Sequence, residues 1–128
     1  MRLLLDTQIL IALARRELPQ LAPTIVAAVN AQDNFLFASA ASSWEIAIKT
    51  RLGKINPGID LDDLPAYWEA IGLNLLTINH THVVQSVYPK PPTRDPFDQL
   101  LLAQCAVEDL RLVTSDRALR GHPLAYSD

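Results

Sequence analysis

An α/β fold is the architecture this sequence predicts, a three-layer sandwich with a mostly parallel central sheet and helices on both faces. Three observations lead there. Short, largely apolar runs without polar alternation recur at residues 3–5, 35–37, 75–78 and 111–114. Such runs suit strands buried on both faces of a parallel sheet. Helical patterns lie between them, punctuated by Pro23, Gly53, Gly72, Pro96 and Gly121. Strands that alternate with helices imply parallel crossovers. Finally, acidic residues stand where apolar runs give way to helices, a position that favours helix starts.

The first strand, 3–5, passes through Asp6 and Thr7 into a helix reaching about residue 16. Pro19 and Pro23 break the chain and then open a second helix over 21–31, since proline is tolerated in a first turn. Asn34 precedes the second strand, 35–37, and a Ser/Ala stretch leads into a third helix over 43–52 that Gly53 stops. A loop at 56–58 precedes a fourth helix, 61–71, closed by Gly72. The third strand, 75–78, is followed by a helix over 82–87. Pro89, Pro91 and Pro92 exclude regular structure and make a stiff loop that delivers the chain to Asp95. Pro96 starts a long helix to about residue 109, and 111–114 is the fourth strand. Asp116 opens a short last helix ended by Gly121, and a final edge strand is expected near 124–126.

With 128 residues, the expectation is one domain spanning 1–128 with one buried core. The apolar fraction of 49% and charged fraction of 20% are those of an ordinary globular chain. A net charge of −3 argues against gripping nucleic acid by bulk basicity. A bound cation with a local basic patch is still compatible with it. Cys105, the single cysteine, excludes an intrachain disulfide framework and suits a reducing cytoplasm. No apolar stretch is long enough to span a bilayer, and Met1 leads directly into a strand-like run. The expected location is cytoplasmic, with no membrane partner.

Asp6, Glu45, Asp98 and Asp116 carry the chemical interest. Parallel sheets bind ligands in the crevice beyond the carboxyl ends of their strands. Asp6 directly follows the first strand, and Asp116 comes shortly after the fourth. Glu45 and Asp98 are expected in first turns of helices bordering the same edge, where carboxylates are favoured. Singly, each also reads as a helix cap. Ser42 to Glu45 has capping-box spacing, and Glu45 with Lys49 makes a favourable helical pair. If the four converge, ionised neighbours about 5 Å apart repel by roughly 3 kcal/mol per pair at an effective dielectric near 20. Such a cluster calls for raised pKa values or a cation. An oxygen-only donor set without Cys or His partners favours Mg²⁺ or Mn²⁺ over zinc. Metal-assisted hydrolysis of a phosphate ester follows, with a free carboxylate available as general base.

The strings LLLDTQIL, SSWEIAIKTRLGKI and DPFDQLLLAQCAVEDLRLVTSD, in this order and spacing, resemble the PIN-domain ribonucleases. Within them the chain is similar to VapC-like toxins of toxin–antitoxin pairs. The resemblance implies a PIN-like sandwich and a Mg²⁺- or Mn²⁺-dependent endoribonuclease. It matches Asp6, Glu45, Asp98 and Asp116 to the family's four acidic positions. Asp6, Asp98 and Asp116 would be the principal metal ligands, and Glu45 would complete the site. Thr114 matches a hydroxyl residue beside the site, and with Thr7 it is expected to position water or substrate. Gln8 departs from the commoner His after the DT pair, and Asp95 is assigned to capping. The resemblance also implies an RNA substrate, a cognate antitoxin and a homodimer.

Candidate RNA contacts are Lys49, Arg94 and Arg117, with Arg15, Arg16, Arg51 and Lys54 behind them. His80 and His82 lack metal-binding spacing, His122 reads as a loop residue, and Cys105 reads as core. Trp44 and Trp68 read as packing, unless one is exposed to anchor a partner. Two rival functions stay open: a non-catalytic PIN-like binding subunit, and an RNA-processing nuclease without an antitoxin.

Overall fold

Both faces of the first strand are buried, and that organises everything around it. In the computed structural model, which describes residues 1–127, β1 (Arg2–Leu5) places Leu3 and Leu5 in one core cluster and Leu4 in another. All three leucines are fully buried. Each contributes roughly 1.5–3 kcal/mol by leaving water. That exceeds the weak strand propensity of leucine, so burial rather than propensity sets this element.

Four strands form one sheet in the order β3-β2-β1-β4, every neighbour parallel. The sheet is therefore wholly parallel, where the sequence predicted mostly parallel. β2 is Phe35–Ser39, β3 Asn74–Leu76 and β4 Arg111–Val113. Each differs by one to three residues at its ends from the expected runs. The expected edge strand at 124–126 reduces to one parallel bridge, Leu112 with Ala125.

α1 (Thr7–Ala14) and α2 (Pro23–Asn30) cover one face, with Ile9, Leu10 and Ile25 in the cluster of Leu3 and Leu5. A 3-10 turn, Leu18–Gln20, comes between them, which the sequence did not indicate. α3 (Ala40–Arg51) starts directly from the end of β2. Ser39, not Ser42, is its N-cap and accepts from the Ala41 N–H at 3.0 Å. The capping box expected at Ser42 and Glu45 is thereby corrected. The Ala40-Ala41 pair, strong helix formers, carries the helix upstream, so Glu45 lies in its second turn. Gly53, at φ +73°, ends it as expected.

The expected helix 61–71 divides into a 3-10 turn, Leu61–Asp63, and α4 (Leu64–Ala70). Pro65 has no N–H to continue an α ladder backwards, and proline is tolerated only in a first turn. The helix after β3 is α5 (His80–Val84), upstream of the expected 82–87. Asn79 and His82 form a reciprocal capping box there, which fixes the earlier start. Residues 85–95 form no helix or strand. α6 (Pro96–Glu108) and α7 (Arg117–Arg120) close the other face, contributing Leu101, Leu102, Cys105 and Leu119 to the cluster of Leu4.

A buried polar tie joins α6 to the sheet. Ser39 Oγ donates to Gln104 Oε1 at 2.6 Å, and Gln104 Nε2 donates to the Thr77 carbonyl at 3.2 Å. No described helix is long and apolar enough to cross a membrane.

Candidate functional site

β1 has β2 on one side and β4 on the other, so the crossovers diverge at the carboxyl ends of β1 and β4. That divergence opens a crevice in parallel α/β sheets. Asp6 emerges there and is tied to the neighbouring strand by its N–H, which donates to the Val113 carbonyl at 2.9 Å. The residue is only 5% exposed. Oδ1 accepts from the Thr7 N–H at 2.7 Å, and Oδ2 accepts from the Thr114 hydroxyl at 2.6 Å. Thr114 Oγ1 also accepts from the Asp116 N–H at 3.0 Å, so one threonine orients Asp6 and the loop that bears Asp116.

α3 brings Glu45 to the same place, 5% exposed. Thr7 Oγ1 lies 2.7 Å from Glu45 Oε1 and 2.9 Å from Ser42 Oγ. A hydroxyl has one proton and gives it to the carboxylate, which leaves a lone pair for Ser42. Lys49 Nζ donates to Glu45 Oε2 at 2.6 Å, and this bond is the main reason the Lys49 pKa is raised. The helical pair expected for Glu45 and Lys49 is thus present.

Asp98 lies in the first turn of α6, as expected, and is partly buried. Its Oδ2 accepts from the Thr93 hydroxyl at 3.2 Å. Asp95 is the N-cap of α6, accepting from the Phe97 N–H at 2.9 Å. Asp116 is the exposed N-cap of α7, accepting from the Ala118 N–H at 2.9 Å.

Electrostatics join the four acids. Burial raises the pKa of Asp6, against the hydrogen bonds from Thr114 and Thr7, and the charges of Glu45 and Asp116 raise it further. Asp98 is pushed up to about 6, first by burial and then by repulsion from Asp95, Asp6 and Glu45. Lys49 is the one cation bonded to any of the four acids among the described residues.

Oxygen donors with this excess of negative charge fit a hard divalent cation in kind. Asp98 Oδ1 and Asp116 Oδ2 accept no hydrogen bond among the described residues. As placed, however, no three acidic, His or Cys side chains of the described residues are gathered tightly enough to hold a metal ion. Glu45 is drawn to Thr7 and Lys49, and Asp116 to its own helix.

The predicted basic contacts divide. Lys49 is committed to Glu45, and Arg15 to Glu17 and the Asn56 carbonyl. Arg94 and Arg117 are exposed. Arg120, exposed near Arg117, was not among the predicted contacts, and its position in a four-residue helix left no periodic signal to mark it. Thr93 and Ser42 were also missed as orienting residues. Thr93 is legible in retrospect, since a hydroxyl two residues before Asp95 bonds its N–H at 3.1 Å.

Trp44 is 58% exposed on α3 and meets the Phe97 ring edge-on at 5.5 Å. Trp68 is buried, donating to Ser43 Oγ at 3.1 Å. His82 is buried against Glu108 at 2.7 Å, and His122, also buried, contacts the Pro89 carbonyl at 2.8 Å. His122 lies in the loop after α7, as expected, and is buried there against the Pro89 carbonyl. Burial pushes the Cys105 thiol up to about 12, which makes it inert core.

Compared with known families, residues 3–123 match a family model described as PIN domain, a span that includes all four acids. A search of curated proteins finds no match to the chain.

Proposed function

The chain belongs to the PIN domain family, generally a nuclease fold, and on that premise we propose that it is a Mg²⁺- or Mn²⁺-dependent endoribonuclease. The observation that carries this reading is the burial of Asp6 at the crevice between β1 and β4, under the charges of Glu45 and Asp116. Asp98, itself repelled by Asp6 and Glu45, borders the same field. Asp6, Asp98 and Asp116 would hold the cation, which supplies orientation of water and neutralisation of charge on the phosphate.

The chain's own residues do the rest. Thr7 and Thr114 fix both oxygens of Asp6, so its carboxylate is held in place with little freedom to reorganise. Glu45, held by Thr7 and Lys49, is the orienting base that receives the proton of the attacking water. Exposed Arg94 and Arg117, with exposed Arg16, Arg51 and Lys54 behind them, remain candidates for phosphate contact.

The proposal extends to one nuclease domain over residues 1–128, a cytoplasmic location, and the toxin role of a toxin–antitoxin pair. An antitoxin would cover the helical surface, and the active form would be a homodimer. The support for these is the likeness of the DPFDQLLLAQC and SSWEIAIK strings to VapC-like toxins. The spread of the four acids favours one rival, a binding subunit without turnover.

Cleavage of a total-RNA pool decides between them, run with Mg²⁺ or Mn²⁺ and with EDTA. Discrete, metal-dependent products are expected. Asp6→Asn and Asp98→Asn are each expected to lower the rate by at least about 10–100-fold, the scale for disturbing a metal site. Full activity in either folded variant would remove that residue from the site. A small antitoxin gene beside this one would separate the toxin from an RNA-processing nuclease.

A further inference from the structure

Next to the acidic crevice, on the β4 side, lies a cavity of about 350 Å³. Its walls include Thr24 from α2, Val113 and Thr114 from the end of β4, Arg120 from α7, and Tyr126. Thr114 belongs to both spaces, since its hydroxyl donates to Asp6 while the residue walls the cavity. Whatever fills the cavity is therefore one residue away from Asp6.

Charge says what would fill it. The crevice is anionic, and a polyanionic strand entering it needs a cation at its margin. Several basic side chains are already engaged: Lys49 with Glu45, Arg15 with Glu17, and Arg2 over the Phe37 ring. Arg120 has no ion-pair partner among the described residues, and it is an exposed residue at the wall of this concave space. Its planar guanidinium suits bidentate contact with a phosphate. The hydroxyls of Thr24 and Tyr126 carry no side-chain hydrogen bond among the described residues, which leaves neutral donors and acceptors in the same wall. The volume falls at the lower end of small-molecule sites, about 300–1,000 Å³. That is more room than a bare phosphate needs.

We propose that this cavity is a subsite for one nucleotide of the RNA strand, adjoining the cleaved linkage. Arg120 pairs with its phosphate, and Thr24 and Tyr126 meet its sugar or base. The proposal rests on the nuclease reading for its substrate, and its test is independent of turnover.

An isotope-labelled sample of the whole chain is titrated with adenosine 3′,5′-bisphosphate in EDTA, and amide resonances are followed. Shifts are expected at Thr24, Gly121 and Ser127, with affinity that falls as salt is added. Arg120→Ala is expected to weaken binding about tenfold, the loss of one charge-assisted contact. Arg120→Lys should recover part of that loss. Unchanged affinity in a folded Arg120→Ala variant, or shifts confined to residues 90–94, would overturn the subsite. Inorganic phosphate that reproduces both the shifts and the affinity would overturn the nucleoside part. RNA cleavage by the same variants separates the two proposals. Arg120-dependent binding without wild-type cleavage supports the nucleotide site and defeats the nuclease reading. Wild-type cleavage without Arg120-dependent binding defeats the subsite alone.

Discussion

Asp98 carries a cost that its neighbours impose. Its carboxyl sits at about 6 rather than 3.8, because burial and the charges of Asp95 and Asp6 disfavour ionisation. A group whose pKa is raised in the folded state contributes fully below the unfolded value, and that contribution is lost as pH rises through the folded value. The native chain should therefore lose stability between about pH 4 and pH 6, by about 1 kcal/mol after allowing for solvent screening at a partly buried group. Asp98→Asn removes the charge and leaves an amide oxygen for Thr93. In EDTA it should melt above the wild type at pH 7.5 and close to it at pH 4. A variant that melts lower at pH 7.5 would show that the Thr93 bond outweighs the repulsion. Together with the proposed loss of cleavage, this would make activity and stability move in opposite directions at one residue, the pattern of a site that holds unfavourable charge for function.

Among the elements, α3 has the most demanding start. Ser39 ends β2, caps α3 through the Ala41 N–H and donates to Gln104 on α6. Loss of a cap costs about 0.5–2 kcal/mol, and an orphaned buried acceptor about 1–3 kcal/mol. Ser39→Ala is expected to destabilise the fold by roughly 2 kcal/mol, read from the midpoint of urea unfolding. A change below about 0.5 kcal/mol would mean that Gln104 finds another donor. The same element carries Glu45 into the crevice one turn later than a helix starting at Ser43 would, facing Thr7 and Lys49. Helix start and site geometry are therefore one problem here, and capping chemistry read along the sequence pointed to Ser42 where the structure uses Ser39.

For the molecule as a whole, the proposed binding of a cation by the carboxylates at the β1 and β4 ends would be linked to folding. A ligand that binds only the native state stabilises it by mass action, roughly 2.7 kcal/mol at a hundredfold excess over Kd. Mg²⁺ or Mn²⁺ is expected to raise the melting temperature of the wild type, and much less that of Asp6→Asn. A wild-type melting temperature indifferent to both ions would leave the acids as helix caps and orienting groups.

Much of this was legible from the chain alone, for a local reason. Leu3 to Leu5 announce a strand buried on both faces because period and burial are properties of a few consecutive residues. Asp95-Pro96 announces a helix start because capping acts over one turn. The four acids could be named, and their proximity to strand ends inferred, on the same basis. Other features depended on which strands became neighbours. Asp6 meets Thr114 across 108 positions of sequence only because β4 pairs with β1. The same pairing creates the cavity that contains Arg120 and draws the tail to Leu112. Periodicity and caps record short-range sterics, while strand order is decided by how all the buried faces pack at once. The residues and much of their local structure were therefore set within the sequence, whereas which strand ends and helices stand beside Asp6 was decided by the tertiary structure.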